Sequence, residues 1–348
     1  MNATTASAGR AYLHLRIGRA RGRTPRRLVL ACLAMLLLTL LGTAVALSLG
    51  DYPIPPDQLV AALTGADAGF TRTVVLEWRL PRALAAALFG LALGAAGAIF
   101  QAITRNPLAT PDIIGFTTGS YTGALLVMVT FGSSLLGIAT GALAGGLATA
   151  SVIMALSMRR GLRGTRLVVV GIGVSAALAG VNAWILRTAE MEIAFSASAW
   201  GVGTLSRILA PQLLLTASAI TVAGTVLAAT GRSLAQLELG DEIAASSGLR
   251  VTSMRVTLIA CAVLLVAAVT AFAGPIAFIA LAAPAIGQRL TRAPGISLAA
   301  SACAGAMLLT WADIVAQHGF PHPLPVGIIT IVIGGAYLLS LLLFPRTR

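Results

Sequence analysis

The chain contains no lysine: all 24 basic side chains in its 348 residues are arginine. A Walker A loop needs a lysine on its phosphates and Schiff-base chemistry needs a lysine amine, so this chain performs neither. Charge of either sign is scarce, at 10% against about 25% in soluble domains. With 57% hydrophobic residues and a mean hydropathy of +0.92, the composition is that of an integral membrane protein. Cysteine and histidine are also rare. Cys32, Cys261 and Cys303 lie in separate apolar stretches without CxxC spacing and read as small buried hydrophobes. Pro321 and Pro323 keep His318 and His322 off a shared helical face, so no metal site is expected.

What the chain does have is long apolar runs between short polar segments. A basic tail, residues 1–27, holds seven arginines and no acid, and an uncharged run of 23 residues follows at 28–50. A signal-peptide core is about 7–15 residues; this run is long enough to cross a membrane. Further spans are expected at 83–104, twice within 113–158 with a break near Gly132, and at 167–186, 208–230, 293–312 and 326–344. Residues 256–288 read as one full helix and one short one, divided by Gly274-Pro275 and Pro284. The expectation is an all-α polytopic membrane protein with about ten transmembrane helices in a single domain, residues 28–348.

Placing the N-terminus in the cytosol leaves 19 arginines in inner segments and five outside: Arg72, Arg79, Arg82, Arg187 and Arg207. That bias follows the positive-inside rule. It puts both termini in the cytosol, together with a polar island at 231–255. Within the island, 240–250 reads as one short capped helix. Asp241 and Glu242 sit at its N-terminus, Gly248 sits where a helix ends in a left-handed residue, and Ile243 and Leu249 supply a small apolar side. Such a helix between spans reads as a docking element for a cytosolic partner.

Small residues recur every four positions at Gly90/Gly94, Gly115/Gly119/Gly123 and Gly137/Gly141/Gly145, the spacing that lets membrane helices approach closely. The Asn106-Pro107 and Gly274-Pro275 breaks occupy matching places in opposed halves, which suggests an inverted repeat and a transporter. No ionisable residue lies central to a span, and Asp112 and Asp313 at span ends read as loop or capping residues. Without a coupling-ion site or a P-loop, the economical reading is an ATPase partner docked on the island. The alternative, a stand-alone secondary transporter of metal ions or small organic solutes, requires a mid-membrane titratable group that the sequence does not supply.

Several stretches carry a family resemblance: Arg79-Leu80-Pro81-Arg82, Asn106-Pro107-Leu108-Ala109-Thr110-Pro111, Gly115 to Gly119, Leu239-Gly240-Asp241-Glu242-Ile243-Ala244 with Gly248-Leu249, Gly274-Pro275 through Pro284, and Ala312-Asp313. In this order they resemble the FecCD-type permeases of ABC importers for iron-siderophores, haem and vitamin B12. The resemblance implies ten helices, a permease homo- or heterodimer in the bacterial inner membrane, two cytosolic ATPase subunits and an extracytoplasmic substrate-binding protein. It implies contact with membrane lipid but not nucleic acid. ATP and magnesium would reside on the ATPase, with no cofactor or catalytic residue in this chain. It assigns ATPase coupling to Leu239, Gly240, Asp241, Glu242, Ile243, Ala244, Gly248 and Leu249, and binding-protein docking to Arg79 and Arg82. Helix breaks and the pathway fall at Asn106, Pro107, Gly115, Gly119, Gly274, Pro275 and Pro284. Gln317 and His318 depart from members that carry an arginine there, and Ala285 from members that carry histidine.

Overall fold

The computed structural model describes residues 12–17, 20–66, 69–112, 115–158, 164–293 and 295–343. Much of the basic tail, Arg159, Arg160 and Arg163 of the arginine cluster, and Arg346 and Arg348 lie outside the described residues. Within the tail, two strands, β1 (Tyr12–Ile17) and β2 (Ala20–Pro25), pair antiparallel. All other regular structure among the described residues is helical.

The first long helix, α1 (Arg26–Ser48), is followed by a short α2 (Pro56–Thr64). The next span starts before the position expected from hydropathy. A single turn, α3 (Phe70–Thr73), runs through a π-helical turn at Val74–Arg79 into α4 (Leu80–Thr104). Pro81 accounts for the π turn, because it cannot donate to the carbonyl four residues back. The register widens by one residue, and the Leu80 N–H donates to Val75 O. Hence Arg79 and Arg82 lie on a continuous helix rather than in the polar connector expected at 51–82.

Then come α5 (Phe116–Phe131), α6 (Leu135–Met158), α7 (Gly164–Thr188) and α8 (Met191–Gly201), with the α5–α6 break where Gly132 placed it. The 30-residue α9 (Ala210–Leu239) corrects the island's boundaries, since residues 231–239 are its last turns rather than loop. At 1.5 Å per residue it is about 45 Å long, more than the ~30 Å of a bilayer's apolar core. The loop proper therefore shrinks to 240–250 and contains α10 (Asp241–Ser246).

The chain closes with α11 (Val251–Ala273), α12 (Ile279–Thr291), α13 (Leu298–His318) and α14 (Val326–Leu343). Ten of these helices fall on the ten expected spans, and seven of the described helical stretches are long and apolar enough to cross a membrane. Pro284 does not break α12 as expected but sits buried inside it. Its missing N–H frees the Ala280 carbonyl, and α4 packs its backbone onto that carbonyl so closely that a Cβ on Gly97 would collide with it. Gln101 on the same face of α4, also buried, donates to Leu281 O at 3.2 Å. A membrane helix tolerates proline where a neighbour covers the freed backbone in this way.

The core is centred on α4, which is buried along most of its length between α11, α12 and α13. Gly90 and Gly94 lie against the backbone of Ser301 and Gly305 on α13, where side chains on either helix would collide. Gly119 and Gly123 make the same kind of seam against Gly141 and Gly145 between α5 and α6. The cysteines are all free; Cys261 and Cys303 are buried, and Cys32 joins Cys303 in one small cluster under α1.

Candidate functional site: the α10 platform and the helix breaks

Both helix breaks form where expected. After α4, Arg105 is left-handed (φ 51°), and the Asn106 side chain accepts the Leu108 N–H at 2.9 Å, closing the turn at Pro107. Gly115 (φ 89°) then opens α5, which is only 16 residues long. After α11, Gly274 (φ 72°) turns the chain through Pro275, and Phe278 (φ 67°) opens the 13-residue α12. At about 24 and 20 Å, α5 and α12 are both shorter than a ~30 Å core, so the segment before each extends into the apolar layer. There they meet. The carboxylate of Asp112, half-buried, accepts the Thr117 hydroxyl at 2.8 Å and the backbone N–H of Phe278. Asp112 is thus more than a loop residue: one carboxylate from the first half holds the start of the broken helix in the second. Leu108, Phe278, Leu281 and Leu338 line a pocket of about 330 Å³ beside it.

At the far end of α4, Arg105 reaches Asp241 of α10. Arg105 Nη2 donates to Asp241 Oδ1 at 2.7 Å and to Leu237 O at 3.2 Å, and Arg255 on α11 donates to Asp241 Oδ2 at 2.9 Å. Burial pushes the Asp241 carboxyl up, but hydrogen bonds and positive charge from Arg255 and Arg105 outweigh it and hold its pKa below the usual carboxylate range. One turn earlier, Glu238 Oε1 accepts the Ile296 N–H at 3.1 Å, tying α9 to the segment before α13. Arg27 Nε donates to Leu290 O at 3.1 Å and fixes the start of α1 to the last turn of α12. Sequence reasoning singled out Asp241 but missed Arg105, Arg255 and Glu238 as its neighbours in this platform. The two arginines were countable only as inside charges.

The platform is built on two glycines. Gly240 (φ 124°) turns the chain out of α9, and Gly248 (φ 85°) ends α10, with Gly248 N–H donating to Ala245 O and Leu249 N–H to Ala244 O, a Schellman closure. Ile243 and Leu249 do not form one apolar side, contrary to expectation. Ala244 is fully buried and Leu249 packs on the core, while Ile243 (55% exposed), Leu239 (66%) and Glu242 face outward. Leu249 lies beyond the end of α10, past the left-handed Gly248, so it shares no helix face with Ile243.

The opposite end of α4, about 37 Å away for 25 residues, carries Arg79 and Arg82. Arg82 makes a two-pronged pair with Asp313, Nε to Oδ2 at 3.0 Å and Nη2 to Oδ1 at 2.7 Å. Asp313 was expected in a loop at 313–325, but α13 continues to His318 and buries it. Arg79 donates to Leu47 O at 2.8 Å and Tyr52 O at 2.7 Å. Both arginines, with Gln317 and His318, line a polar cavity of about 400 Å³.

The two interrupted segments thus meet at Asp112, and the helices that lead into them meet at Asp241. The profile of the FecCD transport family matches residues 20–344. The chain belongs to the FecCD transport family. It is 41% identical over 319 residues to the ferric enterobactin transport system permease protein FepG of Escherichia coli K12, covering 91% of this chain and 97% of that protein. It is 33% identical over 335 residues to the Fe(3+)-citrate import system permease protein YfmE of Bacillus subtilis 168, covering 94% and 98%. Among solved structures it resembles a metal-chelate type ABC transporter in an inward-facing conformation, with a TM-score of 0.79 at 26% identity over 90% of this chain and 99% of that one. Like its relatives, this FecCD chain is a multi-pass membrane protein.

Proposed function

We propose that the chain is the permease subunit of an ATP-driven importer that moves an iron-siderophore or similar iron chelate inward by alternating access. The similarity to iron-chelate permeases along nearly the whole chain supports the substrate class. The arginine bias supports a bacterial inner-membrane orientation with both termini and α10 in the cytosol. The absence of a lysine-bearing phosphate loop supports a separate ATPase carrying ATP and magnesium.

The observation that carries the coupling reading is Asp241. Through Arg105 and Arg255 it joins α10 to the end of α4 and the start of α11, the helices that lead into the two breaks. An ATPase gripping the outward-facing Leu239, Glu242 and Ile243 would therefore move both breaks together. Asp241 belongs to transmission, and the docking contacts belong to its neighbours. A second permease subunit completes the pathway, and an extracytoplasmic binding protein docks over the cavity at Arg79 and Arg82. Because Arg82 is already held by Asp313, such docking rests on its edge and on Arg79 more than on a free guanidinium.

The test is uptake of iron chelate into proteoliposomes containing the permease, ATPase and binding protein. ATP-dependent uptake is expected. It should fall about tenfold in Glu242→Arg/Ile243→Ala with loss of ATPase co-purification, the change a ~1.4 kcal/mol weaker contact produces. Equal uptake without the ATPase would refute the importer reading.

A further inference from the structure

A cavity of about 510 Å³ opens between α5, α7, α8 and the second helix break, lined by Thr117, Thr118, Tyr121, Asn182, Ser198 and Pro275 among others. It lies apart from both the α10 platform and the Arg82 cavity. Asn182 is 5% exposed, and its side-chain oxygen is buried without a hydrogen-bond partner among the described residues. A buried amide left unpaired costs about 1–3 kcal/mol, a cost that calls for a reason. The surrounding wall is built closely. Tyr121 stacks on Trp200 with centroids 6.1 Å apart, and α8 approaches Tyr121 so tightly that a side chain at Gly201 would meet its ring.

The lining also selects a chemistry. The Thr117 hydroxyl spends its proton on Asp112, and the Ser198 hydroxyl spends its own on Ala194 O, so toward the cavity both offer lone pairs. Among the described residues, no Asp, Glu, Arg or His lines the cavity. A bare anion would find hydroxyl and amide donors at Thr118, Tyr121 and Asn182 but no cation to balance its charge. An amide N–H or a hydroxyl on an uncharged organic frame would find acceptors, an amide with donors and acceptor both, and an aromatic edge.

We infer that this cavity is a transient binding station on the transport pathway, taking the hydrogen-bond-donating, uncharged part of the chelate's organic frame, with Asn182 as the residue that reads it. The inference rests on the importer reading above. The site touches the frame rather than the iron. Its positions against Pro275 and Thr117 put it between the second break and the start of α5, where the cargo passes as the two segments move.

The test uses the complete transporter in proteoliposomes, with ferric enterobactin, ferric citrate and a ferric hydroxamate as probes. Asn182→Leu fills the polar position with a hydrocarbon of similar size; Asn182→Gln keeps the amide. For the best-transported probe, Asn182→Leu is expected to lower uptake about tenfold, the effect of one lost buried hydrogen bond. Binding-protein-stimulated ATP hydrolysis and the size of the purified permease assembly should stay within about twofold, and Asn182→Gln should recover at least half of the uptake. Uptake by Asn182→Leu within twofold of wild type would overturn the assignment. So would loss of the assembly or of ATP hydrolysis together with uptake, which would make Asn182 a seat for the second permease subunit. No ATP-driven uptake by the wild type would refute the importer reading itself, and the station with it.

Discussion

At the N-terminal end of α4, Arg82 and Asp313 hold each other with 20% and 6% of their side chains exposed; at its C-terminal end, Asp241 serves two arginines while 47% of its own side chain remains in water. The first pair staples α4 to α13 at the end of their shared glycine seam. The second lies on a six-residue helix between two glycines, where few contacts resist displacement. A buried pair is costly to break because the survivor keeps its charge without water, whereas an exposed pair is screened and contributes modestly. The same chemistry therefore makes a buried joint at one end of α4 and, between Arg105 and Asp241, an exposed one at the other.

The sharpest way to break this comparison is Arg82→Ala. It leaves the Asp313 carboxylate buried without its partner and should destabilise the protein by about 3 kcal/mol. Thermal unfolding in detergent reads the effect, and a drop under about 1 kcal/mol would show that the joint is not costly to break. Asp241→Ala comes next, at about 2 kcal/mol: its carboxylate and Arg105 are half in water, but Arg255, 7% exposed, loses its charged partner. Its larger consequence is functional: ATP hydrolysis should continue while chelate uptake falls, and the reversed pair Arg105→Asp/Asp241→Arg should not restore it, because Arg255 then faces a second arginine.

Raising the salt to about 1 M sharpens the difference further, since the screening length falls to ~3 Å. The Arg105–Asp241 contribution should fade, while that of Arg82 and Asp313 persists. Acidity distinguishes them less. The Asp241 pKa is held below its unfolded value, so its contribution is fully present above about pH 4 and is lost only as pH falls through the depressed folded value. Stability between pH 5 and 8 should show no step from this group. The smallest effect is expected for Glu242→Ala, within about 0.5 kcal/mol for an exposed side chain, although it removes part of the proposed ATPase contact. A stability loss above 1 kcal/mol there would place Glu242 in the joint.

Much of the helix pattern was legible because apolar runs, Gly132, Asn106-Pro107 and Gly274-Pro275 act locally. Gly248 could be read as a helix stop from spacing alone, and it adopts the left-handed conformation that role needs. Three features were not legible. The π turn before Pro81 depends on a hydrogen-bond register rather than on composition. Pro284 looks like a breaker until Gly97 and Gln101 are known to lie against α12. The last turns of α9 look like loop because they are polar, yet they continue a helix already nucleated in the apolar run before them.

The sequence by itself determined that this is a polytopic membrane protein, where most of its helices break, and that it has no lysine for a Walker A loop. Only the tertiary structure decided which charges meet. Arg82 and Asp313 lie 231 positions apart, and Arg105 and Asp241 lie 136 apart. In an apolar environment every polar group needs a partner from within the protein, so the sequence states the need. Which residue answers it depends on how closely the glycine-lined helices approach; the Asn182 side-chain oxygen, one of several buried oxygens without a partner among the described residues, is the one that borders the proposed cargo station.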